Sequence, residues 1–330
     1  MNTIIIVGGG VAGLALAAAL DPQRWRVTLI EQRPVPTDVG TAFGIWPVAQ
    51  RALAFLGLGD WLTAECVRVT DGAIRQADNK PIVQMRGVDM ALVSRPELLR
   101  ALDAAVPASV ERVKRRVEDP RDLSGDVVVA ADGARSRVRA AIWGDTATPV
   151  GTWAVRGVLP RPAEVIDMAE YWGGRVLFGI SPASAHMTNW YATIRHDPGP
   201  PEAALDALRQ THRDFPAPVR RVLAEAEAGR TLVNRILISP LTRRLVRGRH
   251  VLIGDAAHAM SPSLGRGACE ALVDAVALAH ELNRRDPETG LRAYQRQRLI
   301  PGQAVRTAAS VALRLQEAGP RVHRLLATLG

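Results

Sequence analysis

The stretch that decides the fold is TIIIVGGGVAG, residues 3–13. Its apolar, β-branched first half is typical of a buried parallel strand, and residues 14–20 after it are typical of a helix. In such a unit, Gly8 permits the tight turn and Gly10 leaves room for a pyrophosphate against the backbone. Gly13 lets helix and strand pack closely, and the free N–H groups at the helix start attract the anion. The stretch therefore predicts a dinucleotide-binding unit.

A second apolar strand is predicted at residues 26–30, and it ends at Glu31. An acidic side chain at this place accepts hydrogen bonds from the hydroxyls of an adenosine ribose. Because a carboxylate would repel a 2′-phosphate, Glu31 favours FAD or NAD over NADP at this first site.

Length and composition limit the class of protein. At 330 residues the chain exceeds what one core usually holds, so we expect two domains. No apolar stretch reaches a membrane-spanning length and the N-terminus lacks a basic lead, so we expect neither a membrane protein nor a secreted one. With only Cys66 and Cys269, we expect reduced thiols, a cytoplasmic location and no metal site.

The net charge of +9 raises the question of nucleic-acid binding. The basic residues are nearly all arginine, since Lys80 and Lys114 are the only lysines, and they are spread along the chain. This distribution is typical of solvated surfaces, so no nucleic-acid partner is predicted. An anionic substrate or the phosphates of a nicotinamide donor would use the positive charge instead.

A second glycine signature lies in the middle of the chain. Residues 126–131 form a short apolar strand that ends in Asp132-Gly133, and Ser136 then precedes a predicted helix. Ligands of open parallel sheets lie beyond the carboxyl ends of the strands, which places Asp132 at the ligand edge. The alternative is a tight turn with an ordinary helix cap, since Asp and Ser both favour those positions.

The third signature comes late. A strand at residues 250–253 ends in Gly254-Asp255, and a loop with Gly265 and Gly267 leads into a helix predicted over 268–282. Asp255 can accept hydrogen bonds from a polyol such as the ribityl chain of a flavin. The two loop glycines leave space for a planar ring, and the start of the helix favours negative charge on that ring.

With these three motifs in this order, the chain resembles the class A FAD-dependent monooxygenases, the group of p-hydroxybenzoate, salicylate and urate hydroxylases. The resemblance runs from Met1 to about Tyr294. It rests on residues 8–13, 132–139 and 254–267, and on the further segments 44–47, 95–99 and 171–182.

The resemblance implies an α/β fold with a Rossmann-like FAD-binding domain of the GR2 type and an inserted antiparallel-sheet substrate domain, as in p-hydroxybenzoate hydroxylase. The FAD-binding domain would comprise residues 1–65, 91–150 and 246–290, and the substrate domain residues 66–90 and 151–245. Residues 291–330 would form a C-terminal helical cover. We expect Pro216 and Pro218 to break the helical region 202–227, and Pro301 to break the last helix.

The family pattern also implies which residues bind FAD. Glu31 and Arg33 would contact the AMP half, Arg95 the flavin or pyrophosphate region, and Asp255 the ribityl chain. Asp132 would serve both FAD and NAD(P)H. The full predicted set is Gly8, Gly10, Val11, Ala12, Gly13, Glu31, Gln32, Arg33, Gly44, Arg95, Val117, Asp132, Gly254, Asp255, Pro262, Gly265, Arg266, Gly267 and Ala268.

Two departures from the family pattern stand out. Arg266 occupies a position where most relatives have Gln, so it could contact the flavin, contact the substrate or turn to solvent. The chain is also shorter than its relatives at residues 117–125 and 292–330, which would leave the cofactor more exposed.

The resemblance implies a reaction in which NAD(P)H reduces FAD and O2 then forms a C4a-hydroperoxide on the flavin. One oxygen atom would hydroxylate or epoxidise an aromatic or polycyclic small molecule. A reductase or dehydrogenase on the same fold and a non-catalytic flavoprotein remain alternatives. We expect a monomer or a homodimer.

On the substrate side, Trp172, Tyr191 and Arg175 are candidates, with Arg266 as a fourth. For each of the first three, ordinary packing or a surface ion pair is the competing interpretation. His186 and His196 could act as bases or simply lie exposed, and His258 is predicted to be structural.

Overall fold

The computed structural model of the chain describes residues 1–33, 41–164, 168–173 and 175–329. The strands are β1 (Asn2–Val7), β2 (Trp25–Glu31), β3 (Ala42–Ile45), β4 (Val67–Gln76), β5 (Pro81–Ser94), β6 (Glu111–Lys114), β7 (Val127–Ala130), β8 (Thr148–Leu159), β9 (Met168–Gly173), β10 (Val176–Ser184), β11 (Met187–Ile194), β12 (Thr231–Ile238), β13 (Val246–Arg247) and β14 (His250–Leu252). The helices are α1 (Val11–Ala19), α2 (Pro47–Phe55), α3 (Gly59–Glu65), α4 (Arg95–Ala105), α5 (Arg137–Trp143), α6 (Pro201–Thr211), α7 (Ala217–Glu225), α8 (Asp255–His258), α9 (Gly267–Arg284), α10 (Pro287–Gln316) and α11 (Pro320–Leu329).

A six-stranded sheet carries the first nucleotide-binding unit. Its order is β13-β14-β7-β1-β2-β6, and all neighbours are parallel except β13 and β14. The β-branched residues of β1 explain its central place, because Ile4 and Ile6 are fully buried between both neighbouring strands. Helices α1 and α9 pack together beside this sheet. The Rossmann-like part of the prediction is confirmed.

The second sheet has eight strands in the order β12-β8-β11-β10-β9-β4-β5-β3. Its neighbours are antiparallel, as expected for the substrate sheet, with one departure at the parallel pair β4 and β9. One face packs on α6 and α7 through an apolar cluster that includes Phe178, Trp190 and Leu208. The opposite face is left for the site described below.

The eight-stranded sheet draws on more of the chain than residues 66–90 and 151–245. Strand β5 continues to Ser94 and pairs with β3, which precedes the predicted insertion. The division of the chain into domains stays a prediction at the level of single residues.

The prolines have different effects. Helix α6 ends at Thr211 and α7 begins at Ala217, so the break at Pro216 is confirmed. The expected break at Pro218 is wrong, because this proline lies in the first turn of α7, where proline is tolerated. The expected break at Pro301 is wrong, because α10 continues through it. Tertiary contacts on both sides outweigh the cost of the proline: Arg298 forms buried ion pairs, and Gly302 lies against the ring of His258.

The C-terminal helices cover the second sheet. Leu313 of α10 forms an apolar cluster with Ala154, Ile236 and Ile238 of the eight-stranded sheet. The hydroxyl of Ser261 donates to the carbonyl of Ala309 at 2.6 Å, which also joins α10 to the late glycine loop. Across the described ranges, no helix is both long and apolar enough to span a bilayer.

Candidate cofactor and substrate site

The three glycine signatures meet at the carboxyl edge of the six-stranded sheet. Gly8 has a φ of +109°, and a Cβ built there would lie 2.3 Å from the carbonyl oxygen of Ala131. Gly254 has a φ of +57°, and its Cβ would lie 3.0 Å from the Cβ of Ala12. Only glycine satisfies both backbone conformation and space at Gly8. The middle and late signatures therefore both contact the first.

Within the first signature, the glycines have distinct tasks. A Cβ at Gly13 would lie 1.9 Å from the carbonyl oxygen of Gly8, so α1 packs directly on the turn. A Cβ at Gly10 would meet no atom within 4 Å, which leaves open space at the N-terminus of α1. Val11 and Ala12 begin that helix. The arrangement offers an anion free N–H groups next to open space.

Glu31 lies at the end of β2, beside the same turn. Its Oε2 accepts the N–H of Gly9 at 2.7 Å and its Oε1 accepts the N–H of Arg33 at 2.8 Å. Gln32 and Arg33 are exposed next to it. Because each carboxylate oxygen can accept more than one hydrogen bond, Glu31 keeps acceptor capacity for a ribose.

The structure shows the cap at Asp132, and its role toward a ligand stays a prediction. Its Oδ2 accepts the backbone N–H of Arg137 at 2.8 Å and of Val138 at 3.3 Å, so the side chain caps α5. Its Oδ1 is buried and without a hydrogen-bond partner. Burial raises the pKa of Asp132, against the opposing effect of the hydrogen bonds from Ser136 and the backbone. One oxygen is thus left for a ligand.

Arg139 connects the middle signature to the late one. Its guanidinium is buried and donates to the carbonyl oxygens of Ala256 at 3.0 Å, Ala257 at 2.8 Å and Pro240 at 3.1 Å, and it also pairs with Asp145. These carbonyls belong to α8 and to the segment before β13. Arg139 therefore holds the Gly254-Asp255 turn in place.

Asp255 begins α8 at the floor of a cleft. Its side chain is exposed, yet desolvation raises its pKa, while His258 and Arg156 oppose that shift. An exposed carboxylate whose pKa is raised by desolvation is surrounded by much protein, as in a concave site. A Cβ at Gly267 would lie 3.8 Å from the Oδ1 of Asp255, so the late loop reaches the same space.

The late loop presents both glycine and indole to this cleft. Gly265 has a φ of +59°, and its Cβ would lie 4.0 Å from the Nε1 of Trp46. Pro262 and Gly265 are exposed, and Gly267 and Ala268 are half-buried in the first turn of α9. The N-terminus of α9 therefore points into the cleft.

Arg266 is half-buried rather than turned to solvent. Its Nη2 donates to Oε1 of Glu270 at 2.7 Å, while its Nε is buried without a partner. The side chain is held beside the late loop, with one donor left over.

Three arginines share the cleft with little negative charge to balance them. Burial lowers the pKa of Arg95, and Arg33 lowers it further. Burial also lowers the pKa of Arg156, with Arg95 adding to the shift and Asp255 opposing it. A doubly charged pyrophosphate is the type of ligand that such a cluster attracts.

Gly44 and Val117 border the site mainly through backbone. The carbonyl of Gly44 accepts the thiol of Cys269 at 3.2 Å, and a Cβ at Gly44 would lie 2.7 Å from the Sδ of Met90. The carbonyl of Val117 accepts from Nη1 of Arg137 at 3.2 Å.

A buried charged network supports the late signature from behind. Oδ2 of Asp274 lies 2.6 Å from Nε2 of His258 and accepts the N–H of Gly254 at 2.9 Å. Arg298 bridges Asp274 at 2.7 Å and Glu270 at 2.5 Å. Burial alone would lower the pKa of His258, but Asp274 raises it above its usual value. The predicted structural role of His258 agrees with this geometry.

The substrate-side candidates differ in their contacts and in their exposure. Trp172 and Tyr191 both donate to the carboxylate of Glu170, at 2.9 Å and 2.7 Å. Arg175 is exposed just before β10 and has a φ of +68°. His186 and His196 are exposed. All of these assignments stay predictions.

Sequence reasoning missed Arg156, Glu170 and Trp46 as site residues. The sequence pattern did indicate Arg156 and Glu170, because a charged residue inside an otherwise apolar strand is costly unless it has a function. Trp46 carried no such signal, because an indole beside an apolar strand is usually part of the core.

The residues present fit FAD. Of the eight buried polar side-chain atoms without a partner among the described residues, four belong to the glycine signatures or to residues next to them: Trp46 Nε1, Asp132 Oδ1, Arg156 Nε and Arg266 Nε. Buried donors and acceptors in native proteins are almost always paired, so four orphans around one cleft indicate a polar ligand. The glycine-lined edge and the three arginines suit its pyrophosphate, and Glu31 suits its ribose.

Comparison with known proteins agrees with this geometry. Residues 97–309 match the model of the FAD binding domain family, and residues 6–41 match that of the NAD(P)-binding Rossmann-like domain. The first match covers more than half of the chain.

Several characterised proteins are similar over most of their length. Aurachin C monooxygenase/isomerase from Stigmatella aurantiaca is 30% identical, over 85% of this chain and 80% of its own. The FAD-dependent urate hydroxylase of Klebsiella pneumoniae is 30% identical, over 89% and 85%. The 3-amino-4-hydroxybenzoate 2-monooxygenase of Streptomyces cremeus is 31% identical, over 90% and 83%.

Solved structures agree in fold. Klebsiella pneumoniae HpxO complexed with FAD and uric acid superposes with a TM-score of 0.87 at 24% identity, over 99% of this chain and 93% of that one. A salicylate hydroxylase substrate complex gives 0.83 at 20% identity, over 99% and 93%.

Fold and site together define a flavoprotein oxidoreductase whose cofactor is FAD. Within that class, the chain belongs to the family of class A FAD-dependent monooxygenases, as its motifs predicted.

Proposed function

We propose that this enzyme uses NAD(P)H and O2 to hydroxylate or otherwise oxygenate an aromatic or polycyclic small molecule. The observation that carries the proposal is the convergence of three glycine signatures and four unpartnered polar atoms on one cleft. The relatives named above act on aromatic or heteroaromatic compounds, including urate and an aminohydroxybenzoate. The proposal includes a cytoplasmic monomer or homodimer without a nucleic-acid or membrane partner.

In this proposal, each part of FAD has its own residues. Open backbone at Gly10 and the N-terminus of α1 hold the pyrophosphate, and Glu31 orients the adenosine ribose. Asp255 accepts from the ribityl chain. Gly265 and Gly267 would hold the isoalloxazine, and the positive end of α9 would favour electron density on the ring.

The charged residues around the cleft set the electrostatics. Arg95 and Arg156 would neutralise the phosphates. Burial lowers the pKa of both, with Arg33 adding to the shift at Arg95 and Arg95 adding to it at Arg156, and a nearby anion would oppose these shifts. Arg266 offers its free Nε at the late loop. Once bound, FAD supplies the acceptance of a hydride from NAD(P)H and the activation of O2.

The eight-stranded sheet excludes water from the ring. Its face opposite α6 and α7 carries Trp172, Tyr191 and Arg156, while α10 closes one side through Leu313. A dry chamber is needed because water would divert activated oxygen to hydrogen peroxide.

The decisive experiment combines flavin content with oxygen dependence. The purified protein should be yellow or become so with added FAD, and it should oxidise NAD(P)H faster when an aromatic substrate is present, with matching O2 uptake. Product formed in the absence of O2 would favour a reductase or dehydrogenase. Bound flavin that NAD(P)H reduces with no ligand tested would favour a non-catalytic flavoprotein.

A further inference from the structure

Glu170 is a carboxylate in an unusual place. It lies in the middle of β9, in the interior of the eight-stranded sheet, and burial raises its pKa. Among the ion pairs between described residues, none includes Glu170. A buried carboxylate without a cation is costly, and such groups concentrate at functional sites.

Two aromatic side chains are fixed by this carboxylate. Oε1 of Glu170 accepts the hydroxyl of Tyr191 at 2.7 Å, and Oε2 accepts the indole N–H of Trp172 at 2.9 Å. The three residues therefore form a rigid unit, which we term the Glu170 cluster.

The sheet leaves room for the contact between Tyr191 and Glu170, which crosses one intervening strand. Glu170, Gly179 and Tyr191 are directly opposite one another on β9, β10 and β11. The Tyr191 ring crosses above Gly179, where a Cβ would lie 2.1 Å from the ring carbon Cζ. Glycine at this position clears the path by which Tyr191 reaches Glu170 two strands away.

The Glu170 cluster shares its face with the cofactor cleft. Arg156 on β8 is directly opposite Tyr191, so both side chains project from the same face of the sheet. The charge of Asp255 affects the pKa of Arg156, which brings that face next to the late signature. Glu170 and Tyr191 are each half-buried, while His323 and Leu326 of α11 pack on the Trp172 side of the cluster.

We propose that Glu170 selects the substrate: its carboxylate accepts a hydrogen bond from an O–H or N–H group on a neutral aromatic ring and disfavours arene carboxylates. The inference rests on the proposed function above. Both oxygens of Glu170 keep acceptor capacity after bonding Trp172 and Tyr191, whereas an anionic group at the same place meets an unneutralised negative charge. Trp172 supplies an apolar wall beside Ile82 and Leu177.

The test compares two probes of equal ring size on the FAD-loaded protein. Dissociation constants for 2-naphthol and 2-naphthoate are measured at neutral pH through the change in flavin absorbance. We expect wild type to prefer 2-naphthol by about tenfold or more, the range of one charge-assisted hydrogen bond. Glu170→Gln should reduce that preference by a similar factor, while Glu65→Gln, the same change at an exposed residue, should not.

A second variant separates selection from a merely structural role. Tyr191→Phe removes one bond of the Glu170 cluster but keeps the carboxylate, so the preference for 2-naphthol should remain. Equal loss of preference in Tyr191→Phe and Glu170→Gln would mean that the bonds only support the fold. Circular dichroism and flavin content of each variant verify that it is folded.

The remaining outcomes distinguish failure of this inference from failure of the proposed function. A yellow wild-type protein that binds 2-naphthoate as well as 2-naphthol, or that binds 2-naphthol at no concentration up to its solubility, overturns this inference alone. A protein that takes up no flavin overturns the proposed function instead.

Discussion

At the scale of single residues, the site depends on groups that each have a spare bonding position. Asp132 caps a helix with one oxygen and leaves the other free, and Arg266 pairs with Glu270 while its Nε stays open. Sequence could place Asp132 and Asp255 at the ligand edge, because each follows a strand. Glu170 carried a signal as a charged residue in an apolar strand, but its bond to Tyr191 depends on pairing between three strands and could not be predicted.

Replacement of Asp255 should remove most of the bound flavin. Asp255→Ala deletes the carboxylate at the cleft floor, which costs about 1.5–3 kcal/mol of binding, or roughly tenfold to a hundredfold in FAD affinity. The ratio of flavin absorbance to protein absorbance after gel filtration measures the loss. Asp214→Ala, at an exposed aspartate, is the matched control. Full flavin occupancy in the Asp255 variant would contradict the assignment.

The two cysteines should differ in reactivity. Burial raises the pKa of Cys269 to about 11, whereas Cys66 is only half-buried. Because pH 8 lies about three pH units below this pKa, only about a thousandth of Cys269 is then thiolate. A chromogenic disulfide reagent should modify Cys66 first, with Cys269 reacting only on unfolding. Mass mapping that finds Cys269 modified first would refute this.

At the scale of secondary-structure elements, the loops of the site are held by elements behind them. Arg139 at the start of α5 binds carbonyls of α8, and Asp274 on α9 binds the backbone of Gly254. The order of strands and helices could be read from the sequence, since apolar runs and glycines mark them. The buried charge network could not, because its members lie far apart in the chain.

The pair of His258 and Asp274 should make stability depend on pH. The pKa of His258 is raised in the folded protein, so its contribution is complete below the ordinary value near 6.5 and is lost as pH rises through the folded value. The pKa of Asp274 is lowered, because His258 and Arg298 outweigh its burial, so this carboxylate stays ionised across the window.

His258→Gln should therefore cost more at pH 5.5 than at pH 9. We expect about 1.5–3 kcal/mol at the lower pH, the range for a hydrogen bond to a charged group. Denaturant unfolding of wild type and variant at both pH values gives the two differences. A loss that grows with pH would reverse the sign we derive.

Replacement of Pro301 should stabilise the protein, in contrast to replacement of His258. It is exposed within the continuous helix α10, where proline removes a backbone hydrogen bond. Pro301→Ala should stabilise the protein by up to about 3 kcal/mol. Pro287→Ala, at the first turn of the same helix where proline is tolerated, should change little. A lower melting temperature for Pro301→Ala would show that the proline fits a bend that α10 needs.

At the scale of the whole molecule, two sheets enclose one cleft. The Rossmann-like sheet could be predicted from three motifs, and the family resemblance added the second sheet. The parallel pairing of β4 with β9 and the entry of β3 into the second sheet were beyond reach. Both features depend on which strand edges meet after the chain has passed through the first sheet. No local sequence pattern indicates which edges these are.

Flavin should stabilise the assembled molecule as a whole. A ligand that binds only the folded state adds about 2.7 kcal/mol at a hundred times its dissociation constant. Thermal unfolding followed by circular dichroism should therefore show a melting temperature that increases with FAD concentration. Adenosine alone should raise it less, because it lacks the pyrophosphate and ring. Melting that is insensitive to FAD would argue against a site shared by both sheets.

The pairing of β14 with β7 has a consequence for synthesis on the ribosome. The strand that completes the parallel sheet spans His250–Leu252, so about three quarters of the polypeptide must emerge before the edge that receives the cofactor exists. Nascent chains that stop earlier expose unpaired strand edges and are prone to aggregate. Completion of this edge is then a late step of synthesis, and it depends on the slow closure of contacts distant in sequence.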